Sequence, residues 1–313
     1  MVMISLAHKA KQFLTTIVKL LVVGLAFWFI YKRLSDTDWL NWEELKAYVA
    51  HKNLFVGVFV VVALAFLNRF FEILKWKNLA HTLRPTSLWE ASKQVLSALV
   101  FSIFTPNGIG EYGAKAFFFE KSQAKQVIFL NFVCNGIQMI ITIVMGIFGL
   151  LLLGYYKWLG LVVSLLLILW LLVFVLKRVK IKGYSIENLI KKILEIPSSI
   201  HKKNTLLGVC RYVFFSLQQY YLFHFFGVEI GFVPVIATIM AVYLLASCLP
   251  NFQFFDFMVK GGTSIYFFGM LGINEWIVMI VALLMWILNV VLPVSIGTIL
   301  VLGFKTKNKS WGL

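Results

Sequence analysis

From Trp158 to Leu176 the chain reads WLGLVVSLLLILWLLVFVL, without one charged side chain. About 20 apolar residues in a helix cross the ~30 Å hydrocarbon core of a bilayer. Such a segment has few folds open to it. In lipid every backbone N–H and C=O must be paired within the protein, which leaves helices and closed barrels. Comparable runs recur at about 12–31, 53–74, 125–153, 205–226 and 275–302. At 61% hydrophobic and 13% charged residues, the chain is far from the soluble norm of about 45–50% apolar and about 25% charged. An all-α, polytopic membrane protein with six full spans is expected.

Two further apolar stretches are interrupted. Phe101 to Lys121, FSIFTPNGIGEYGAKAFFFEK, sets Pro106, Asn107, Gly108, Gly110, Glu111 and Lys115 between apolar arms. Leu249 to Lys260, LPNFQFFDFMVK, repeats the theme with Pro250, Asn251, Asp256 and Lys260. Each copy has Pro-Asn, then an acid followed by an aromatic residue, with Lys four positions after the acid. On a helix that spacing puts acid and Lys on one face. Proline stops the entering arm, and Asn and Gly supply turn geometry. A helix start beside a lysine can hold a phosphate. The acid can instead clamp the lysine, or exchange a proton to couple transport. The plainer reading is a packed kink whose ion pair neutralises itself. Two copies favour a functional site, because paired breaks near the midplane mark binding sites in transporters.

The arm after Pro106, from 109 to 122, measures roughly 21 Å as a helix, too short to cross, so a re-entrant hairpin is expected. A hairpin returns the chain to the side it left. Positive residues then orient the whole. With the N-terminus inside, most loop lysines and arginines fall inside: Lys75, Lys77, Arg84 and Lys93 in one loop, and Lys177, Arg178, Lys180, Lys182, Lys191, Lys192, Lys202 and Lys203 in another. N- and C-termini are both expected in the cytoplasm. The single membrane domain, 1–313, then divides into inverted repeats of about 12–154 and 157–303, with oppositely oriented hairpins. Each repeat carries a surface segment: 35–52 in the first, and in the second a basic stretch with Ile186, Leu189, Ile190, Ile193 and Leu194 at helical spacing.

Other polar residues lie inside the spans. Arg69 stands three positions before Glu72, suited to anchoring or to substrate contact. Asn131, Asn135 and Gln138 share one face of the third span, either joining helices or lining a polar path. Arg211, Gln218 and Gln219 invite the same two readings, and His224 reads as a packing residue. The three cysteines have no paired or metal-binding spacing. No cofactor motif, metal cluster or catalytic constellation is visible, so no cofactor is expected. The net charge of +16 is attributed to topology and to anionic lipid head groups, not to nucleic acid.

On Pro-Asn-Gly-Ile-Gly-Glu at 106–111, Lys115 and the span that follows, the chain resembles the lysylphosphatidylglycerol synthase transmembrane-region family of flippase-like proteins. Pro250, Asn251 and Asp256 would correspond to that family's second hairpin. Two departures stand out. Asn131 and Asn135 occupy positions where the family would carry charge, and Phe252-Gln253-Phe254 replaces small residues. The resemblance implies the lipid-handling membrane part without the soluble aminoacyl-transferase domain of full-length synthases. The expected function is movement of an anionic phospholipid or polyprenyl-phosphate lipid across the cytoplasmic membrane. The alternatives are a membrane-embedded lipid-modifying enzyme, which would need a soluble enzyme partner, and an ion-coupled anion transporter.

Overall fold

The structure, a computed structural model, describes residues 53–103, 105, 108–179, 185–248 and 256–302, the side chains of 256–259 and 302 excepted. The first expected span, the surface segment at 35–52 and the C-terminal tail lie outside the described residues. Every regular element among the described residues is helical.

Helix α1, Leu54–Ala80, starts where the Asn53 side chain accepts the Val56 N–H at 3.2 Å. Its buried residues Gly57, Val61, Ala65, Asn68, Glu72, Lys75 and Leu79 recur every three or four positions, one continuous inward stripe. The stripe is apolar in its first half and polar in its second. Helix α2, Leu88–Ser102, opens with a capping box: Ser87 accepts from the Glu90 N–H, and Glu90 accepts from the Ser87 N–H. A tight connection leads to the short α3, Gly110–Ala116. The Thr105 hydroxyl ties that connection together, donating to the Ser102 carbonyl at 3.0 Å and accepting from the Gly110 N–H at 2.8 Å. A Cβ at Gly110 would lie 2.2 Å from the Phe101 carbonyl oxygen, so only glycine lets the returning arm sit this close to the entering one.

Helix α4, Ala124–Leu152, follows a single 3-10 turn at Lys121–Gln123. Helix α5, Tyr156–Leu176, buries only Val162 and is apolar around its whole circumference, as a lipid-facing helix is. Helix α6, Ile186–Glu195, is short, amphipathic and capped by Ser185. On its exposed face Lys191 hydrogen-bonds Glu187 and holds that carboxyl below its ordinary pKa. Helices α7, Ser198–Phe225, and α8, Phe232–Ser247, lead to α9, Asp256–Gly269. The last span comprises α10, Glu275–Trp286, a π-helical turn at Ile287–Val291, and α11, Leu292–Leu302.

The π turn has an identifiable cause. Pro293 has no N–H to give to the carbonyl of Asn289 four residues earlier, so the α-helical ladder breaks there.

The helices pair in a regular way. Helix α1 packs on α7, α4 on α8, and α11 on α2; α2 folds onto α3 and α9 onto α10. Glycines bring spans against hairpin arms: a Cβ at Gly149 would stand 2.6 Å from the Ala237 carbonyl, and one at Gly297 2.1 Å from that of Leu96. Small residues at such contacts let helix backbones approach closely in lipid.

Among the described residues, four helices are long and apolar enough to cross a membrane: 54–80, 121–152, 156–176 and 275–301. The protein is a helical membrane protein. Helix α7 has the length at 28 residues, but its buried side chains include Asn204, Ser216, Gln218 and Gln219, which lower its apolarity. Helices α2 and α3, with 15 and 7 residues, rise roughly 22 and 10 Å, short of a crossing.

Candidate functional site

The polar half of the α1 stripe organises the interior. Asn68 donates to the Asn289 side-chain oxygen at 2.7 Å. Asn289 in turn donates to Gln218 and to the Met285 carbonyl, both at 2.9 Å. Gln218 closes the chain by donating to the Val61 carbonyl at 3.3 Å. The Asn289 carbonyl that Pro293 leaves without a helical donor accepts from Arg69. A proline in the last span thus creates an acceptor for an arginine in the first described one.

Arg69 also pairs with Glu72, as the i,i+3 spacing suggests. Arg211 of α7 approaches the same carboxylate at 3.5 Å. Two guanidinium groups therefore share one carboxylate. Arginine keeps its charge in proteins, so this cluster carries a formal positive surplus. Among the described residues the Nε atoms of Arg69 and Arg211 are buried and have no hydrogen-bond partner.

A second cluster lies one turn further along α1. The expected basic loop begins at Lys75, but the helix continues to Ala80 and Lys75 is buried. Its amine donates to Gln138 at 2.8 Å, and Gln138 lies 3.5 Å from the Gly208 carbonyl. The helix carries on past the charge because its next inward residues, Trp76, Leu79 and Ala80, belong to the core under the first hairpin. Expected loop residues Lys202 and Lys203 likewise fall within α7.

The third cluster belongs to the first hairpin. Lys115, 1% exposed, pairs with Glu111 on the same face of α3 and donates to the Asn131 side chain of α4 at 2.7 Å. Its amine sits 4.4 Å from the centre of the Trp76 ring, whose N–H is held by Gln94 at 2.6 Å. The polar face of α4 is thus divided: Asn131 serves Lys115, Gln138 serves Lys75, and Asn135 faces a cavity between them.

That cavity measures about 920 Å³. Its polar wall includes Glu72, Gly108, Glu111, Asn135, Gln138 and Arg211, and its apolar wall includes Phe132, Ile137 and Ile193. Gly108 turns the hairpin with φ 69°, and Ser247 at the end of α8 brings the second hairpin to the same space. Arg211 is 25% exposed in its side chain, so its charge is presented to the cavity.

Lys260 lies elsewhere. It lines a small cavity of about 40 Å³ with Gln219, Tyr243 and Asn289, its amine 5.7 and 5.8 Å from the centres of the Phe215 and Tyr243 rings. Pro106, Asn107, Pro250 and Asn251 lie outside the described residues, as does the side chain of Asp256. Of the polar residues that build the interior, sequence reasoning places Lys75 in a loop and passes over Asn289. The Asn289–Pro293 spacing was the signal for the last.

Among the described residues no group of three or more His, Cys, Asp or Glu could hold a metal ion. Comparison with known protein families, characterised proteins and solved structures finds no match to this chain.

Proposed function

We propose that this protein moves an anionic lipid between the leaflets of the cytoplasmic membrane, through the cavity beside the first hairpin. The observation that carries the reading is the positive surplus of the Arg69–Glu72–Arg211 cluster, which reaches the cavity through Glu72 and Arg211 opposite an apolar wall. A phosphate entering there would accept from the exposed part of the Arg211 guanidinium and balance the surplus charge. Glu111 holds Lys115 while the site is empty, and releases it to a competing anion. Asn135 and Gln138 offer neutral hydrogen bonds along the way, and Gly108 lets the hairpin backbone approach the head group.

The wider architecture belongs to the same proposal. It comprises six spans and two broken hairpins in inverted repeats, with both termini in the cytoplasm. The pairing of helices supports it. Exchanging the halves turns the α4–α8 contact into α11–α2, and the α2–α3 fold into α8–α9. Glu111 and Ser247, one from each hairpin, reach one cavity. The resemblance of 106–121 to the lysylphosphatidylglycerol synthase transmembrane region is consistent with this reading, but the cavity carries it.

The test is leaflet movement in reconstituted liposomes, read by quenching of a head-group-labelled anionic lipid. Lys115→Ala and Glu111→Gln are each expected to reduce the protein-dependent rate at least about tenfold, the effect of losing about 1.4 kcal/mol of differential interaction. Unchanged rates in both would reject the site. Lipid mass spectrometry of a deletion strain separates the enzymatic alternative: loss of a lipid species favours an enzyme, while unchanged species with altered leaflet distribution favours translocation.

A further inference from the structure

A second cavity of about 820 Å³ lies between α4, the end of α5 and α6. It differs in character from the polar one. Lys125, Ile128, Phe129 and Phe132 fall at i, i+3, i+4 and i+7, which places all four on one face of α4. Ile186, Leu189 and Lys192 of α6 form the facing stripe. Apolar walls therefore run between two exposed lysines, and neither lysine has an ion-pair partner among the described residues. The volume falls in the ~300–1,000 Å³ range of ligand clefts.

Two side chains belong to both cavities. Tyr112 of α3 and Phe132 of α4 line this groove and also the polar cavity. They form the partition between an apolar trough lined by two lysines and a polar chamber lined by Arg211. A free inorganic anion has no use for the apolar trough. An amphiphile with a negative head and a hydrocarbon tail matches both parts.

We propose that the groove is a docking site for an anionic phospholipid, separate from the polar cavity. The phosphate lies against Lys125 and Lys192, and one acyl chain runs along Ile128, Phe129 and Phe132. The inference rests on the translocation reading for its purpose, since it supplies the place from which a head group would pass the Tyr112–Phe132 partition. As a binding site it stands on the groove alone.

The test is photo-cross-linking in nanodiscs that contain phosphatidylglycerol with a diazirine in one acyl chain, compared with phosphatidylcholine carrying the same chain. Label is expected on Phe129, Phe132 and Leu189 well above that on Leu169 of the lipid-facing α5, and only with phosphatidylglycerol. Lys125→Gln and Lys192→Gln should each lower it about fivefold, the effect of one basic residue at an anionic lipid surface, while Lys157→Gln leaves it unchanged. Leu189→Trp, which fills the trough without altering charge, should remove it. Equal labelling by the two lipids, equal labelling of groove and α5, or indifference to the lysine exchanges would overturn the proposal. Groove labelling without leaflet movement would reject the translocation reading and leave the site standing. Leaflet movement without groove labelling would do the reverse.

Discussion

The two hairpins carry the same sequence theme and bury their lysines in different surroundings. Lys115 is enclosed, with a carboxylate, an amide and an indole face around its amine. Lys260 is half-buried beside two aromatic rings and a cavity too small for a head group. What differs is what each neighbouring span presents. Helix α4 offers Asn131 to the first hairpin, whereas Met279 and Ala282 of α10 meet Gly261 of the second. The large cavity lies on the Lys115 side. A repeated motif therefore does not give its two lysines the same surroundings, because the facing helices present different side chains.

The largest effect expected from this contrast is on stability. Lys115→Met leaves the Glu111 carboxylate buried and unpaired, which costs ~3–5 kcal/mol. Lys260→Met, at a half-buried position beside two aromatic rings, should cost less than Lys115→Met. Thermal unfolding of the purified protein in one detergent would rank the two. The double variant Glu111→Gln/Lys115→Met should recover much of the loss, since no uncompensated charge remains. Equal destabilisation by the two lysine variants would erase the distinction between the hairpins.

A smaller effect separates the hairpin glycines. Gly110→Ala drives a methyl group into the Phe101 carbonyl and should cost ~1–3 kcal/mol by overpacking. Gly262 of α9 has nothing within 4 Å of its Cβ direction, so Gly262→Ala should be neutral or stabilise the helix by up to about 1 kcal/mol. The same unfolding measurement checks both. A tolerated Gly110→Ala would mean that the arms of the first hairpin are not held against each other.

Much of this architecture was legible in the sequence. Apolar length marked α4, α5 and the last span, and the helix breakers marked both interruptions. The i,i+4 spacing gave the Glu111–Lys115 pair, and the i, i+4, i+7 spacing gave the polar face of α4. The sequence reading failed where a charge was taken to end a helix. Lys75 looked like the start of a loop, yet Trp76, Leu79 and Ala80 carry the buried stripe beyond it, and Gln138, 63 residues away, receives its amine. Asn289 was invisible for a related reason. Its role depends on Asn68, Arg69 and Gln218 arriving from other helices, and periodicity within one helix carries no information about that. Motif spacing also says nothing of the facing helix, so the different surroundings of Lys115 and Lys260 are not legible in the repeat.

The central claim is that the surplus charge at Arg211 selects an anionic head group. The most direct measurement compares initial rates of leaflet movement for phosphatidylglycerol and phosphatidylcholine with identical chains, in wild type and in Arg211→Gln. Glu72 keeps Arg69 as its partner in that variant, so the fold is expected to persist. The account predicts faster movement of the anionic lipid by the wild-type protein, and loss of that preference in Arg211→Gln. Equal rates for the two lipids in wild type, or a preference that survives the exchange, would contradict it.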